Sequence, residues 1–508
     1  MKKRRCERAA LLCLLGVCLL PFAAVREPWA AQEKNEKIVL RVANWEEYID
    51  EGDWDEEEAI ELEDENETVI LGENSMIEDF EEWYLENYGV EVKVEYSTFG
   101  SNEDLYNQLT LGNSIDLVCP SEYMFMKLIA EDQLQPLSEG FFDEEKEDNY
   151  YIRGVSDYIR SIFESNEIGG QAWSKYAAGY MWGTTGIVYN PEEISEEEAS
   201  HWKLLADPKY KGQITIKDNV RDSYFAALGI LNEEELLSEA VLDAPDRLEK
   251  IASAMNRTDE ETVSQAERIL KQMKENAYSF ESDSGKADMV TGKVLANYQW
   301  SGDAVYTLDQ AEVDDYTLAY AVPEECTNVW FDGWVMLRDG VEGDSAKQQA
   351  AEAFINFLSR PDNVIRNMYY IGYTSVIAGG ESDMIYAYAD WCYGSEAEED
   401  TMEYPVGFFF SGDNGDENYV ITADADQQRR QLYAQYPPQD VLERAVVMQY
   451  FDQENNKRIN QMWVNIRCFN LSSLSAADWA KLLGGVFLAA AVGMVFWKRD
   501  DIFRKRNE

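Results

Sequence analysis

Four short segments of the chain combine aromatic rings with carboxylates: Trp45-Glu46-Glu47-Tyr48, Ser121-Glu122-Tyr123, Trp300-Ser301-Gly302-Asp303 and Trp330-Phe331-Asp332. That combination suits a protonated amine. An ammonium over an aromatic face gains about 0.5–2 kcal/mol, and its methylene stem stacks on the same ring. A carboxylate then fixes each charged end through charge-assisted hydrogen bonds. Taken singly, each segment also reads as an ordinary core or rim aromatic beside an acid, and it is the recurrence that gives the pattern weight. Other chemistries lack material. The single histidine, His201, leaves Ser-His-Asp, Cys-His and multi-histidine metal sites without their central residue. Cys119, Cys326, Cys392 and Cys468 show no CxxC spacing, so no disulfide framework is indicated and free cysteines are expected. The run Asp413-Asn414-Gly415-Asp416-Glu417-Asn418 offers oxygen ligands, but its spacing fails the EF-hand template and reads as a polar surface loop. A carboxylate pair for glycoside hydrolysis is permitted by composition alone, yet acids this common carry little specificity. The expectation is a binding protein, not an enzyme, without cofactor or metal. A metal ion, a betaine or an amino acid is the alternative class of ligand.

Such residues need a frame that brings strand ends together, and the middle of the chain supplies one. Alternating or continuous apolar runs predict strands at 38–43, 90–96, 116–119, 185–190, 213–216, 294–299, 317–322 and 329–337. Helical spacing predicts helices at 76–88, 102–111, 222–231, 259–274, 346–358 and 362–371, with Ser101 as a cap. This alternation predicts an α/β fold with parallel sheets and right-handed crossovers. In open sheets of that kind ligands bind beyond the carboxyl ends of strands, where the aromatic and acidic segments fall. The length of 508 residues suits two lobes better than one very large sheet. Residues 50–73 are rich in carboxylates with few apolar residues in any period, and read as a solvated insertion.

Charge narrows the partners. Forty-four Lys and Arg against 98 Asp and Glu leave a net charge of −54, so no basic footprint for nucleic acid exists. The same charge favours cationic partners and keeps an exposed protein soluble. Both ends carry membrane signals. Lys2, Lys3, Arg4, Arg5 and Arg8 precede an apolar run at 9–25, so residues 1–31 read as a signal peptide or signal anchor. An apolar stretch at 480–497 followed by Lys498, Arg499, Arg504, Lys505 and Arg506 reads as a transmembrane helix with a basic cytoplasmic tail at 498–508. The acidic body then lies on the outer face of the cell membrane.

The order of the motifs resembles the polyamine (spermidine/putrescine) subgroup of bacterial solute-binding proteins that serve ABC importers. The opening strand and N-W-x-E-Y appear as Asn44-Trp45-Glu46-Glu47-Tyr48, and S-N-E-x-x-Y-x-x-L runs from Ser101 to Leu109. Y-D-L-V-x-P-S-x-Y runs from Ile115, in place of the tyrosine, to Tyr123. W-G-T-T-G-I-x-Y-N starts at Trp182, W-x-x-L-x-x-P-x-Y-K-G at Trp202 and W-x-G-D at Trp300. F-L-x-R-P-D at Phe357 and I-G-Y at Ile371 complete the series. The resemblance implies a two-lobed, hinged type II periplasmic-binding-protein fold, with chain crossings near Trp182 and Trp300. Residues 38–181 with 301–340 would form one lobe, and 182–300 with 341–470 the other. Trp45, Tyr48, Tyr123 and Trp300 would be aromatic walls, and Glu47 and Asp303 would take ammonium groups. Asp222, one place after Arg221, would match a further family acid, with Asp218 or Asn219 as its companion. Glu46 adds a charge where the family often has threonine, Asp332 adds another from the last aromatic segment, and Arg366 falls where a terminal amide ligand is expected. Spermidine or putrescine and the membrane permease would be the partners of a monomer.

Overall fold

The structure is a computed structural model that describes residues 37–62, 68–282, 284–397 and 399–468. β1 (Ile38–Trp45) pairs in parallel with β2 (Val92–Phe99), in register from Ile38 opposite Val92 to Trp45 opposite Phe99. Helix α1 (Met76–Tyr88) connects them. Ser75 and Glu78 cap its start reciprocally, and Gly89 ends it at φ +69°, a left-handed conformation that glycine adopts without strain. Helix α2 (Asn102–Thr110) starts as expected at Ser101, whose hydroxyl accepts from the Asp104 amide. Next come β3 (Leu117–Val118), parallel to β1, and α3 (Glu122–Ala130). β4 (Ala177–Tyr189) is buried throughout.

The second set repeats this grammar. It comprises β5 (Ile214–Lys217), α4 (Val220–Leu231), α5 (Glu260–Asn276), β6 (Ser279–Glu281), β7 (Ala296–Trp300) and α6 (Ser301–Val313). β8 (Thr327–Leu337) leads to α7 (Ser345–Leu358) and α8 (Pro361–Ile371). Hydrogen bonding runs through the order β6-β5-β7-β4-β8-β3-β1-β2. The outer pairs are parallel, whereas β4 and β8 are antiparallel to each other in the middle.

β4 and β8 are the spine. Ala177 to Trp182 lie in the core of the first lobe, while Ile187 and Tyr189 lie in that of the second. Strands buried on both faces read as mostly apolar runs, and these do, interrupted by the buried polar residues Thr184, Thr185, Thr327, Asn328 and Asp332. Two cores flank the second-lobe sheet: one holds Trp202, Tyr298 and Ile214, the other Leu308, Leu318 and Val294.

Three expectations are corrected by this packing. First, α6 belongs to the second lobe, and α7 and α8 pack in the first, the reverse of the division read from sequence. The chain leaves the second lobe at β8, not at Trp300, and meets it again at Tyr433 and Ala434 before ending there in α9 (Gln453–Arg467). Second, the acidic insertion at 50–73 is exposed at most of its acids but anchored by buried residues. Ile60, Leu62 and Ile70 are buried, Ile60–Glu61 pairs with Val69–Ile70, and Trp54 packs on Tyr369 at 4.9 Å. Spacing of three scattered apolar residues has no helical or strand period, so pattern reading missed them. Third, the segment after Val376 is built into the first lobe by a helix (Met384–Tyr393) and a strand pair (Thr401–Pro405 with Val420–Asp424). The leader at 1–31 and the apolar stretch at 480–497 lie outside the described residues. Among the described residues no helix is long and apolar enough to cross a membrane.

Candidate functional site

The carboxyl ends of β1, β3, β5 and β7 converge where the two lobes meet. On the first lobe, Asn44 is fully buried and organises the turn after β1. Its side chain accepts from the Trp45 amide and donates to the Tyr48 carbonyl, at 2.9 and 3.1 Å. Glu47 between them takes φ +53°, an uncommon conformation for a residue with a Cβ. Tyr48 is thereby turned inward. Its hydroxyl donates to Asp332 at 2.8 Å, and its ring meets Tyr180 and Tyr373 edge-on at 5.7 and 5.4 Å.

Asp332 sits at an irregularity in the β4–β8 pairing, between Asp332 and Gly333. Such bulges re-aim side chains beside functional sites. Its second oxygen accepts from the Ser121 hydroxyl at 2.7 Å. Ser121 is placed in turn by Asn102, whose side chain accepts the Ser121 amide proton at 3.2 Å. No lysine or arginine nitrogen among the described residues comes within ion-pair distance of Asp332, and burial pushes its carboxyl up to about 6 despite the two hydroxyl donors. Burial and the Asp332 charge push the Tyr48 phenol well above its usual value, so it stays a donor. Glu122 is also buried, and desolvation lifts it to about 8 although the Phe331 amide donates to it.

On the second lobe the acids are dressed differently. Asp303 receives the Lys217 ammonium at 3.3 Å, the Lys286 ammonium at 3.3 Å and the Tyr373 hydroxyl at 3.0 Å. Burial alone would raise its carboxyl, but the two ammoniums and that hydroxyl outweigh it and hold it below the usual carboxylate range. Gly302 has a spatial role here: a Cβ would lie 2.2 Å from the Tyr373 ring. The glycine of W-x-G-D thus lets Tyr373 cross from the first lobe to Asp303. Asp222 accepts from the Trp300 indole at 3.4 Å and is pushed up to about 6 by burial, with Lys217 pulling the other way. Lys217 also stands 3.8 Å above the Trp300 ring, and the Arg221 guanidinium stands 5.0 Å from the Tyr123 ring. Desolvation lowers Arg221 from its ordinary value.

Tyr48, Tyr123, Asp222, Trp300, Asp303 and Asp332 are thus linked where the lobes meet: Tyr48 touches Asp332 and Tyr373, Tyr373 touches Asp303, Trp300 touches Asp222, and Arg221 stands by Tyr123. Trp45 is half-buried and leans on Phe99 at 4.8 Å, while Glu46 and Glu47 are exposed on the turn. Arg366 points elsewhere: it donates to Asp50 and to Asp79, tying the acidic insertion to α1 and α8. Asp218 pairs with Arg467 at 2.7 Å, and Asn219 caps α4 by accepting the Arg221 and Asp222 amide protons. Sequence reading missed Lys217, Lys286 and the contacts of Tyr373. Lys217 ends a buried parallel strand, the position from which ligand sites are built, and that placement was its one available signal.

Two other expectations concern ions. Asp413 and Asp416 accept the amide protons of Gly415 and Asn418, as in a polar turn. His201, Glu233 and Glu325 are the one group among the described residues with metal-like spacing, and they are occupied by His201–Glu325 and Lys203–Glu233 pairs, each at 2.8 Å. Cys119 and Cys326 are buried and Cys468 is exposed.

Comparison with known proteins agrees with this architecture. Residues 75–390 match the family model described as bacterial extracellular solute-binding protein. The spermidine/putrescine-binding periplasmic protein of Escherichia coli is 26% identical over 284 residues, covering 56% of this chain and 70% of that protein. The putrescine-binding periplasmic protein PotF of the same organism is 26% identical over 304 residues, covering 56% and 71%. A putative spermidine/putrescine ABC transporter structure from Listeria monocytogenes superposes with a TM-score of 0.56 at 22% identity, over 85% of this chain and 99% of that one. The spermidine/putrescine substrate-binding protein of Streptococcus pneumoniae gives 0.53 at 22% identity, over 85% and 98%. At that identity the superposition speaks for the two-lobed fold alone. With the family model spanning more than half its length, the chain belongs to the bacterial extracellular solute-binding proteins.

Proposed function

We propose that this protein captures a polyamine outside the cytoplasm and hands it to the permease of an ABC importer. One observation carries the reading: Asp332 is a buried carboxylate held by two hydroxyls and, among the described residues, by no lysine or arginine, and the Tyr48 that bonds it meets the Tyr373 ring, which in turn meets Trp330. An ionised acid in such a place is costly unless something positive reaches it. A primary ammonium answers that need, and the surrounding rings suit its methylene stem. The names of the curated relatives support the same class of ligand. Closure of the lobes about β4 and β8 would bring Asp222 onto the ligand and expose a docking face to the permease. The apolar stretch at 480–497 would tether the protein to the membrane, and membrane fractionation of the full chain against a chain truncated before residue 480 tests it.

Calorimetric titration of putrescine and spermidine into the full-length protein tests the ligand class. Micromolar binding, about −8 kcal/mol, is expected. It should weaken at least about 20-fold in Asp332→Asn, as for one partner removed from a buried charge pair. Absence of heat and of any thermal stabilisation by either amine would overturn the proposal.

A further inference from the structure

Lys217 does what a bound ligand would be expected to do. Its ammonium lies 3.8 Å over the Trp300 ring and 3.3 Å from Asp303, the aromatic face and the carboxylate that the sequence assigns to ligand. The residue is 1% exposed, so this cation belongs to the interior and is not a surface lysine folded back. An ammonium has three N–H donors. One faces Asp303, one the Ser282 carbonyl at 3.4 Å, and the third side is closed by the indole. None remains for an incoming anion. Lys286 reaches the other Asp303 oxygen at 3.3 Å, so each oxygen of that carboxylate already meets an ammonium of the chain itself.

Of the three aspartates in the crevice, Asp303 is therefore neutralised from within. Asp332 and Asp222 have no lysine or arginine nitrogen at ion-pair distance among the described residues. We infer that Lys217 is a built-in occupant of one ammonium subsite, and that it sets ligand length and charge: the crevice takes a diamine, and the third ammonium of a triamine is excluded by the lysine already in place. This rests on the polyamine reading above and adds a specificity determinant to it.

Titration of putrescine, spermidine and 4-aminobutanoate into the full-length protein and into Lys217→Met tests the inference. The wild type is expected to prefer putrescine. The variant should shift the spermidine-to-putrescine affinity ratio toward spermidine by about tenfold or more, since a like charge is removed from a desolvated subsite. A merely structural lysine would lower both affinities together and leave that ratio alone. An unchanged ratio with both amines still bound overturns the inference and leaves the polyamine reading standing, as does a wild type that prefers spermidine. Tighter binding of 4-aminobutanoate than of putrescine overturns it as well, because the lysines would then be holding an anion. Spermidine binding that appears only in the variant supports it. No binding of either amine to either protein overturns the polyamine reading and the inference with it. Lys217→Gln, which keeps a hydrogen-bond donor without the charge, carries the same test should the methionine variant not fold.

Discussion

Asp332 and Asp303 lie on opposite lobes, linked through Tyr48 and Tyr373, and each is 7% exposed. Their burial is equal and their partners are not. Asp332 is met by two hydroxyls and is lifted to about 6, whereas Asp303 is met by two ammoniums and a hydroxyl and held below the usual range. Burial by itself therefore does not mark a ligand-binding carboxylate. What marks it is burial without an internal counter-charge, since that leaves a desolvation cost for the ligand to relieve. Asp332 presents that unanswered charge, and Asp303 presents a charge already answered. A third buried acid, Asp50, follows the Asp303 pattern: Arg366 grips it, and its work is structural.

The largest expected effect separates the two acids by stability. Asp303→Ala strands the buried Lys217 ammonium and should destabilise the fold by about 3–5 kcal/mol in urea unfolding. Asp332→Asn should do the opposite at neutral pH. The folded carboxyl, at about 6, lies above its ordinary 3.8, so its stabilising contribution is fully present below pH 4 and is lost as pH rises through 6. The asparagine variant escapes that loss, and its advantage over wild type should grow between pH 4 and 7 to on the order of 2–3 kcal/mol. An advantage that stays flat across this window would mean that Asp332 is not strained by burial.

Ligand affinity should follow the same carboxyl. Asp332 and Asp222 both lie near 6, so amine binding should weaken below that pH, by about tenfold per pH unit for each acid that must ionise. A titration series at pH 5, 6 and 7 checks this, and equal affinities at pH 5 and 7 would contradict it. The smallest effect is expected at the bridge between the lobes. Tyr373→Phe removes the hydroxyl donated to Asp303 but keeps the ring, and should cost about 1 kcal/mol in stability with only a few-fold change in affinity.

Much of this was legible in the chain as written. Helix α1 falls at the bounds its spacing predicts, and the Ser101 cap is where α2 begins. The N-W-x-E-Y motif has a physical reading that the structure supplies: Asn44 ties the turn together so that Tyr48 points inward while Glu46 and Glu47 face water. The acidic insertion and the allocation of α6, α7 and α8 to lobes were not legible, because neither depends on local period. Lys217 was not legible either. A lysine ending a four-residue apolar strand looks like a surface punctuation mark until Trp300 and Asp303, more than eighty residues away in the chain, are seen around it.

The sequence by itself determined the alternation of strands and helices, the caps, and the set of aromatic and acidic side chains that reach strand ends, since period, turn chemistry and residue type act over a few positions. Only the tertiary structure decided which of those acids meet a cation from the chain itself. That choice is made by residues distant in sequence and adjacent in space, where removal from water makes the presence or absence of one ammonium the dominant electrostatic fact.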